Sequence, residues 1–127
     1  MIVLDASAAL AGLLNAGPAR RALADEQLHA PHLIDTEVAN ALRRVSASQR
    51  LPTEATGAAL GAWRRLGLTR YPASPLLDRL WELRHDLSAY DATYVALAER
   101  LGCALLTADA RLGRAPGTTC PITVVPR

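Results

Sequence analysis

Short apolar runs alternate with helical patterns along this chain, and this alternation limits its fold more than any other feature. The runs occupy residues 1–4, 28–30, 68–71, 103–107 and 122–125. They are too short for typical helices and rich in residues that favour strands, as is typical of strands buried on both faces. Strands that alternate with helices form βαβ units. The sequence therefore predicts an α/β fold of three layers (α/β/α), whose central, mainly parallel sheet has about five short strands.

Helical patterns fill the intervals between these runs. The clearest pattern places apolar residues on one helical face, at Ile34, Val38, Leu42 and Val45. Further helices are predicted over residues 6–14, 19–26, 52–66, 76–83, 88–101 and 110–113. Their boundaries rest on residues such as Gly67, which ends the helix over 52–66, and Ser88, which begins the helix over 88–101.

The chain has 127 residues, which is the size of one domain, and we expect a single domain over residues 1–127. Half of the residues are apolar and a fifth are charged, as in compact globular proteins. The longest apolar runs, such as residues 8–14, fall short of the roughly 20 residues that cross a bilayer. No signal-peptide pattern opens the chain. We therefore expect a cytoplasmic protein that does not enter a membrane.

All 14 basic residues are arginine. Chemistry that depends on lysine is therefore excluded, including phosphate binding by a P-loop and Schiff-base catalysis. The two cysteines, Cys103 and Cys120, lie too far apart in sequence for a CxxC pair, so neither a zinc ribbon nor a dithiol redox motif is available. A cytoplasmic location favours two free thiols.

Four carboxylates stand where an α/β architecture gathers side chains at one edge of its sheet. Asp5 and Asp109 follow predicted strands, whereas Glu37 and Asp91 lie near the starts of predicted helices. Ligands of parallel sheets bind outside the carboxyl ends of the strands. Carboxylates that lie close together repel one another and are best tolerated when a hard divalent cation neutralises them. The pattern favours a Mg²⁺ or Mn²⁺ site, and a cation of this kind assists hydrolysis of phosphodiesters.

Each acid also has a purely structural interpretation. Asp5 and Asp109 are suited to capping the helices that follow them, because aspartate is a preferred N-cap residue. Ser88 and Asp91 fit a capping box, in which the acid reaches back to the start of its own helix. Glu37 in a first helical turn gains from the helix dipole without any catalytic role. A single acid is weak evidence for a site, and four at one edge are stronger evidence.

The acids lie within longer segments that form a recognisable series. These segments are VLDASA (3–8), DTEVANALR (35–43), AYDATYVALAE (89–99) and LTADARL (106–112). In this order they resemble the successive motifs of PIN domains, specifically of VapC-type toxins from type II toxin–antitoxin systems. The resemblance extends over nearly the whole chain, and its most specific part is the segment around Asp91.

The resemblance implies a Mg²⁺- or Mn²⁺-dependent endoribonuclease that a cognate VapB-type antitoxin neutralises. Asp5, Glu37, Asp91 and Asp109 match the family's acidic metal and catalytic positions. It further implies an RNA substrate and a homodimer. Beside these acids, Ser7 and Thr107 match two positions of the family that carry a small hydroxyl side chain. We expect such side chains to orient carboxylates or bound water.

Arginines on the predicted helices offer contacts for RNA phosphates. For most of them a solvated helix face explains the pattern equally well, because a net charge of +2 is no strong nucleic-acid footprint. Arg44 and Arg111 are the two candidates, since Arg44 lies two turns after Glu37 and Arg111 follows Asp109 closely. Trp63 and Trp81 are predicted to lie in the core or, alternatively, at a partner interface.

Two other functions remain open at this point. The first is a PIN ribonuclease of RNA processing that has no antitoxin, which a neighbouring antitoxin-like reading frame would argue against. The second is a binding module that keeps the fold without catalysis, and the four intact acids argue against it.

Overall fold

A computed structural model describes all residues from Met1 to Arg127. Five strands are present: β1 (Ile2–Leu4), β2 (Leu28–Pro31), β3 (Leu68–Tyr71), β4 (Ala104–Thr107) and β5 (Ile122–Val124). The helices are α1 (Ala6–Leu14), α2 (Pro18–Asp25), α3 (Leu33–Ala47), α4 (Thr53–Arg65), α5 (Leu77–Glu82), α6 (Ala89–Leu101) and α7 (Ala110–Gly113). A 3₁₀ turn at Ser74–Leu76 leads into α5. The alternation of strands and helices predicted from the sequence is confirmed.

The five strands form one parallel sheet in the order β3-β2-β1-β4-β5. Along the chain, β2 and β3 are added successively on one side of β1, whereas β4 and β5, after a reversal of direction, are added on its other side. Right-handed crossovers therefore place the helices before and after this reversal on opposite faces of the sheet. In agreement, α1 packs against α2, α3 and α4, whereas α6 packs against α5 and the central strands. The predicted three-layer α/β/α architecture is confirmed.

The reversal creates a crevice between β1 and β4, which are hydrogen-bonded neighbours whose chains leave the sheet on opposite sides. Open α/β sheets bind ligands at such a position, beyond the carboxyl ends of the strands. Val3, Leu4 and Leu105 on these two strands have no solvent-exposed surface. Because helices cover both faces of the sheet, side chains on both faces of these strands are buried. This explains why apolar residues in the runs follow one another without intervening polar residues.

Helix α6 is the most buried helix and crosses the face that α1 does not cover. Seven consecutive residues, Ala92 to Ala98, are buried. The helix ends at Gly102, whose φ of 67° is left-handed. Glycine adopts this conformation without steric cost, so the chain turns directly into β4. The turn returns the chain to the crevice, where β4 ends at Thr107.

Two expectations for side chains are corrected or refined by the fold. Of the two alternatives for the tryptophans, Trp63 lies in the core, whereas Trp81 is 68% exposed, which excludes the core for Trp81 and leaves the partner interface as a prediction. Helix α5 is only six residues long and buries none of them, so its apolar spacing does not produce a buried face.

Cys103 and Cys120 are both free thiols. No helix combines the length and the apolar character needed to span a membrane.

Candidate active site

Asp5 is held by a set of hydrogen bonds in the crevice. The residue follows β1, caps α1 and is only 6% exposed. Its Oδ1 accepts hydrogen bonds from the Ser7 hydroxyl (2.6 Å) and the Ala8 amide (2.9 Å). Its Oδ2 accepts one from the hydroxyl of Thr107 (2.5 Å). The capping interpretation of Asp5 is therefore correct, but the cap alone does not require the contacts to Ser7 and Thr107.

The hydroxyls of Ser7 and Thr107 join the end of β1 to the end of β4. Ser7 Oγ accepts a hydrogen bond from the Ala108 amide at 2.8 Å and lies 3.2 Å from Thr107 Oγ1. Thr107 has no exposed surface, and its Oγ1 accepts a hydrogen bond from the Asp109 amide at 3.0 Å. These two side chains thus fix the backbone from which Asp109 projects relative to the carboxylate of Asp5.

Glu37 is brought to the same region by the second turn of α3, not by the first turn as predicted, because the helix already begins at Leu33. Its Oε1 accepts a hydrogen bond of 2.5 Å from the hydroxyl of Tyr94 on α6. The start of α3 is anchored by Asp35, which accepts hydrogen bonds from Arg70 at 2.6 and 2.9 Å. Trp63 Nε1 donates a further hydrogen bond to Asp35 at 2.9 Å. The orientation of Glu37 therefore depends on contacts from three other elements, namely β3, α4 and α6.

Asp91 lies in the first turn of α6, where only part of the predicted capping box forms. The Asp91 amide donates to Ser88 Oγ at 3.2 Å, which is the N-cap bond. No reciprocal bond runs from the Ser88 amide to the Asp91 carboxylate. The Ser88 side chain still lowers the pKa of Asp91, so the start of the helix contributes to the environment of this acid. Asp91 lines a groove that Asp109 also lines.

Asp109 caps the short helix α7 and is paired with Arg111. Its Oδ1 accepts hydrogen bonds from the amide (2.9 Å) and Nε (3.2 Å) of Arg111, and its Oδ2 accepts one from Nη2 at 2.9 Å. The Arg111 side chain is 83% exposed. The capping interpretation of Asp109 is thus also correct, and an exposed arginine neutralises this acid in the absence of a cation.

The carboxylates differ in their electrostatic state. Burial raises the pKa of Asp5, Glu37 and Asp91, and the negative charges of neighbouring members of the group raise each of these pKa values further. In contrast, hydrogen bonds from Arg111 lower the pKa of Asp109, with a smaller contribution from the charge of Arg127. Asp5 and Asp91 each raise the pKa of Glu37, and Asp109 raises the pKa of both Asp5 and Asp91, although the four acids come from separate parts of the chain.

The group suits a hard cation by its donor atoms. The negatively charged side chains at the crevice are carboxylates. Their oxygen atoms are the ligands that Mg²⁺ and Mn²⁺ prefer. No three His, Cys, Asp or Glu side chains stand close enough to surround a cation by themselves. Mg²⁺ usually keeps several water ligands and takes only one or two carboxylates directly. The residues therefore fit a partly hydrated cation and do not fit a fully protein-ligated site such as a structural zinc centre.

A groove of about 580 Å³ opens from Asp91 and Asp109. Its lining includes Asp86 and Ser88 as well as two arginines, Arg111 and Arg114. A groove of this size has room for a segment of a polymer substrate beside the acids, and its two arginines offer positive charge for phosphates.

A sequence-family model of the PIN domain matches residues 2–117 of the chain. The chain belongs to the PIN-domain family. Full-length relatives include the VapC ribonuclease Mb0985 of Mycobacterium bovis and ribonuclease VapC9 of Mycobacterium tuberculosis, each 59% identical over 127 residues and covering all of both chains. Ribonuclease VapC1 of Mycobacterium tuberculosis is 45% identical over 97% of this chain and 96% of its own. This PIN domain is therefore a member of the VapC group.

Solved structures share the fold of this chain. The crystal structure of PAE2754 from Pyrobaculum aerophilum superposes with a TM-score of 0.72 at 27% identity, covering 95% of this chain and 81% of the other. The structure of Mycobacterium tuberculosis VapC20, described as a sarcin-ricin loop cleaving toxin, superposes with a TM-score of 0.62 at 22% identity, covering 94% and 97%. At that identity the second likeness concerns the fold alone.

Sequence reasoning missed three contributors to the site of this PIN domain. Tyr94 lies within the segment 89–99 but was not predicted as a site residue, although its hydroxyl reaches Glu37. Arg127 is remote in sequence but acts on Asp109, and Asp35 holds the start of α3. Arg44, one of the two predicted RNA contacts, is exposed and makes no ion pair with the acids. The spacing of Asp91 and Tyr94, one turn apart on α6, was a signal that pointed to a shared face.

The raised pKa values predict how the stability of the cation-free PIN domain depends on pH. An acid with a raised pKa binds its proton more tightly in the folded state, so its stabilising contribution is present at low pH and is lost as the pH rises through the folded pKa. Asp5, Glu37 and Asp91 therefore lose this stabilising contribution as the pH rises above their ordinary pKa values, which are 3.8 for aspartate and 4.5 for glutamate. Asp109 acts oppositely, but only below 3.8, because its pKa is lowered.

We therefore expect thermal melting with a chelator present to give a higher Tm at pH 5 than at pH 8, by a few degrees. The difference should shrink in Asp5→Asn, which removes one of the three groups. A Tm that rises between pH 5 and pH 8 would contradict the assignment of raised pKa values to these acids.

Proposed function

We propose that this PIN domain is a Mg²⁺- or Mn²⁺-dependent endoribonuclease that acts as the toxin of a type II toxin–antitoxin pair. The observation that carries the proposal is the convergence of Asp5, Glu37, Asp91 and Asp109 at the crevice between β1 and β4. A charge-neutralising cation gives a physical reason for placing four acids together, since they repel one another without it. The VapC relatives at 59% identity support RNA as the substrate.

The acids have different roles in this proposal. Asp5 and Asp91 are the leading cation ligands, Glu37 completes the group, and Asp109 serves as a further ligand or orients the attacking water. Ser7 and Thr107 keep the Asp5 carboxylate in place through the bonds described above. When bound, the cation supplies Lewis-acid stabilisation of the charge that develops on the scissile phosphate.

Arg111 and Arg44 are the proposed contacts to RNA phosphates. Arg111 lines the groove next to Asp91 and Asp109, and its exposed guanidinium, now paired with Asp109, would exchange that pairing for a phosphate when a cation binds the acid. Arginine binds phosphate through two parallel hydrogen bonds, which suits a residue beside the scissile bond. Arg44 lies farther along α3, where it would contact RNA outside the crevice.

The partners and the location follow from the VapC relatives. We propose a cognate VapB-type antitoxin as the inhibitor, a homodimer as the assembly and the cytoplasm as the compartment. Large apolar side chains that the fold leaves exposed support protein partners, and Leu77, Trp81 and Tyr90 are more than half exposed. Aromatic residues are enriched in protein interfaces.

Cleavage of RNA by the purified chain tests the proposed activity. We expect cleavage with Mg²⁺ or Mn²⁺, none with a chelator, and recovery when excess cation is added back. Asp91→Asn, purified in the same way, exposes any contaminating nuclease. Equal cleavage by both proteins indicates contamination, and absence of cleavage in both, over several structured RNAs, would favour a binding module that lacks catalysis.

A further inference from the structure

Tyr94 is a buried polar side chain for which the proposed reaction has no role so far. Only 1% of the residue is exposed, and it lies among the largest fully buried side chains of the molecule. Its single polar side-chain atom is the hydroxyl, which donates to Glu37 Oε1 at 2.5 Å. A buried hydroxyl needs a hydrogen-bond partner, and this one has its partner in the candidate active site.

The hydrogen bond joins the two sides of the molecule. Glu37 belongs to α3 and Tyr94 to α6, and the reversal of strand order places these helices on opposite faces of the sheet. Tyr94 also lies one helical turn after Asp91, so the two residues share a face of α6. One helix thus contributes both a proposed cation ligand and the group that holds another ligand.

The hydrogen bond from Tyr94 restricts the flexible side chain of Glu37 but engages only one of its two carboxylate oxygens. Glutamate has three rotatable side-chain bonds, and a half-buried glutamate without a partner samples several rotamers. Tyr94 engages Oε1, and the chain forms no other side-chain hydrogen bond to Glu37. Oε2 therefore remains available as an acceptor or ligand while the carboxylate is held in one position.

We propose that Tyr94 is a positioning residue of the cation site, whose hydroxyl holds Glu37 in place so that the site binds its divalent cation tightly. The inference rests on the proposed function, because it assigns Glu37 to the cation site. Tyr94 does not itself contact the cation. Partners that orient metal ligands change metal affinity about 10–100-fold when they are removed.

Binding of Mn²⁺ alone, without RNA, tests the inference by calorimetric titration. We expect Tyr94→Phe to weaken Mn²⁺ binding about 10-fold. Tyr71→Phe is the matched control, because it also removes a hydroxyl hydrogen bond, the 2.7 Å contact to His29, at a place that none of the four acids touches. It should keep wild-type Mn²⁺ affinity within about twofold, the range of ordinary variation between neutral variants.

A double-mutant cycle separates positioning of Glu37 from a general loss of structure. In a Glu37→Gln background, Tyr94→Phe should change Mn²⁺ affinity by less than about twofold, because the contact through which it acts is already altered. The inference is overturned if Tyr94→Phe binds Mn²⁺ as wild type does, or if it weakens binding equally in both backgrounds. If wild type itself binds no Mn²⁺, the proposed function fails instead.

A second variant keeps the test decisive if Tyr94→Phe does not fold. Glu37→Asp retains the charge on a half-buried residue but withdraws the carboxylate from Tyr94 by one methylene. We expect weaker Mn²⁺ binding together with an unchanged circular dichroism spectrum. Wild-type affinity in Glu37→Asp would contradict the inference.

Discussion

Asp5→Asn is expected to abolish RNA cleavage while the protein stays folded. Asparagine is close in shape to aspartate and still accepts the hydrogen bonds of Ser7 and Ala8, so the cap of α1 persists. It removes the negative charge that the proposed cation requires. A cation supplies several kcal/mol to the transition state, so we expect kcat/KM to fall by about 10²–10⁴-fold.

The same substitution should not destabilise the cation-free protein. Burial is the main reason that the pKa of Asp5 is raised, so the fold disfavours the charge that the substitution removes. We expect an equal or higher Tm with a chelator at neutral pH. Asp25→Asn, at the exposed end of α2, is the matched control and should leave both cleavage and Tm unchanged. A loss of several kcal/mol in Asp5→Asn would mean that Asp5 serves mainly as a helix cap.

Thr107→Val is expected to reduce both stability and activity. Valine fills the same volume but lacks the hydroxyl, which donates to Asp5 Oδ2 and accepts from the Asp109 amide. Asp5 Oδ2 then loses a buried hydrogen bond and the Asp109 amide loses a part-buried one. An unpaired buried group costs about 1–3 kcal/mol and a part-buried group less, so we expect the free energy of unfolding to fall by about 2–4 kcal/mol.

The effect of Thr107→Val on cleavage should exceed what the loss of stability explains. Residues that orient carboxylate ligands change activity about 10–100-fold when they are removed. We expect a loss of this size at a temperature where urea denaturation shows the variant to be folded. Thr93→Val on α6 is the matched control, because its hydroxyl donates only to the helical carbonyl of Ala89. Comparable losses in both variants would assign the effect of Thr107→Val to general packing.

Much of the fold could be predicted because its signals are local. Four consecutive residues such as Ala104 to Thr107 are apolar enough to indicate a buried strand without reference to the rest of the chain. The same holds for the helical face that carries Ile34, Val38 and Leu42. Trp81 shows where this reasoning fails, since apolar spacing does not reveal whether a neighbouring element covers the face.

The candidate site was predictable in its acids and not in its contacts. Asp5 and Asp109 follow strands, and the carboxyl ends of parallel strands meet at one edge. The partners of these acids are far away in sequence. Thr107 reaches Asp5 and Tyr94 reaches Glu37, across separations of 102 and 57 residues. Hydrogen bonds over such distances leave no periodic signal in the chain.

The strand and helix pattern, the parallel sheet and the available carboxylates could all be predicted without coordinates. Each of these follows from the polarity and spacing of neighbouring residues, whose effects are local. The folded arrangement was needed to learn which hydroxyl holds which acid, that Arg111 pairs with Asp109, and that Tyr94 joins α6 to Glu37. The reason is physical: burial and hydrogen bonding at the crevice depend on several elements packing together, and no single segment contains that information.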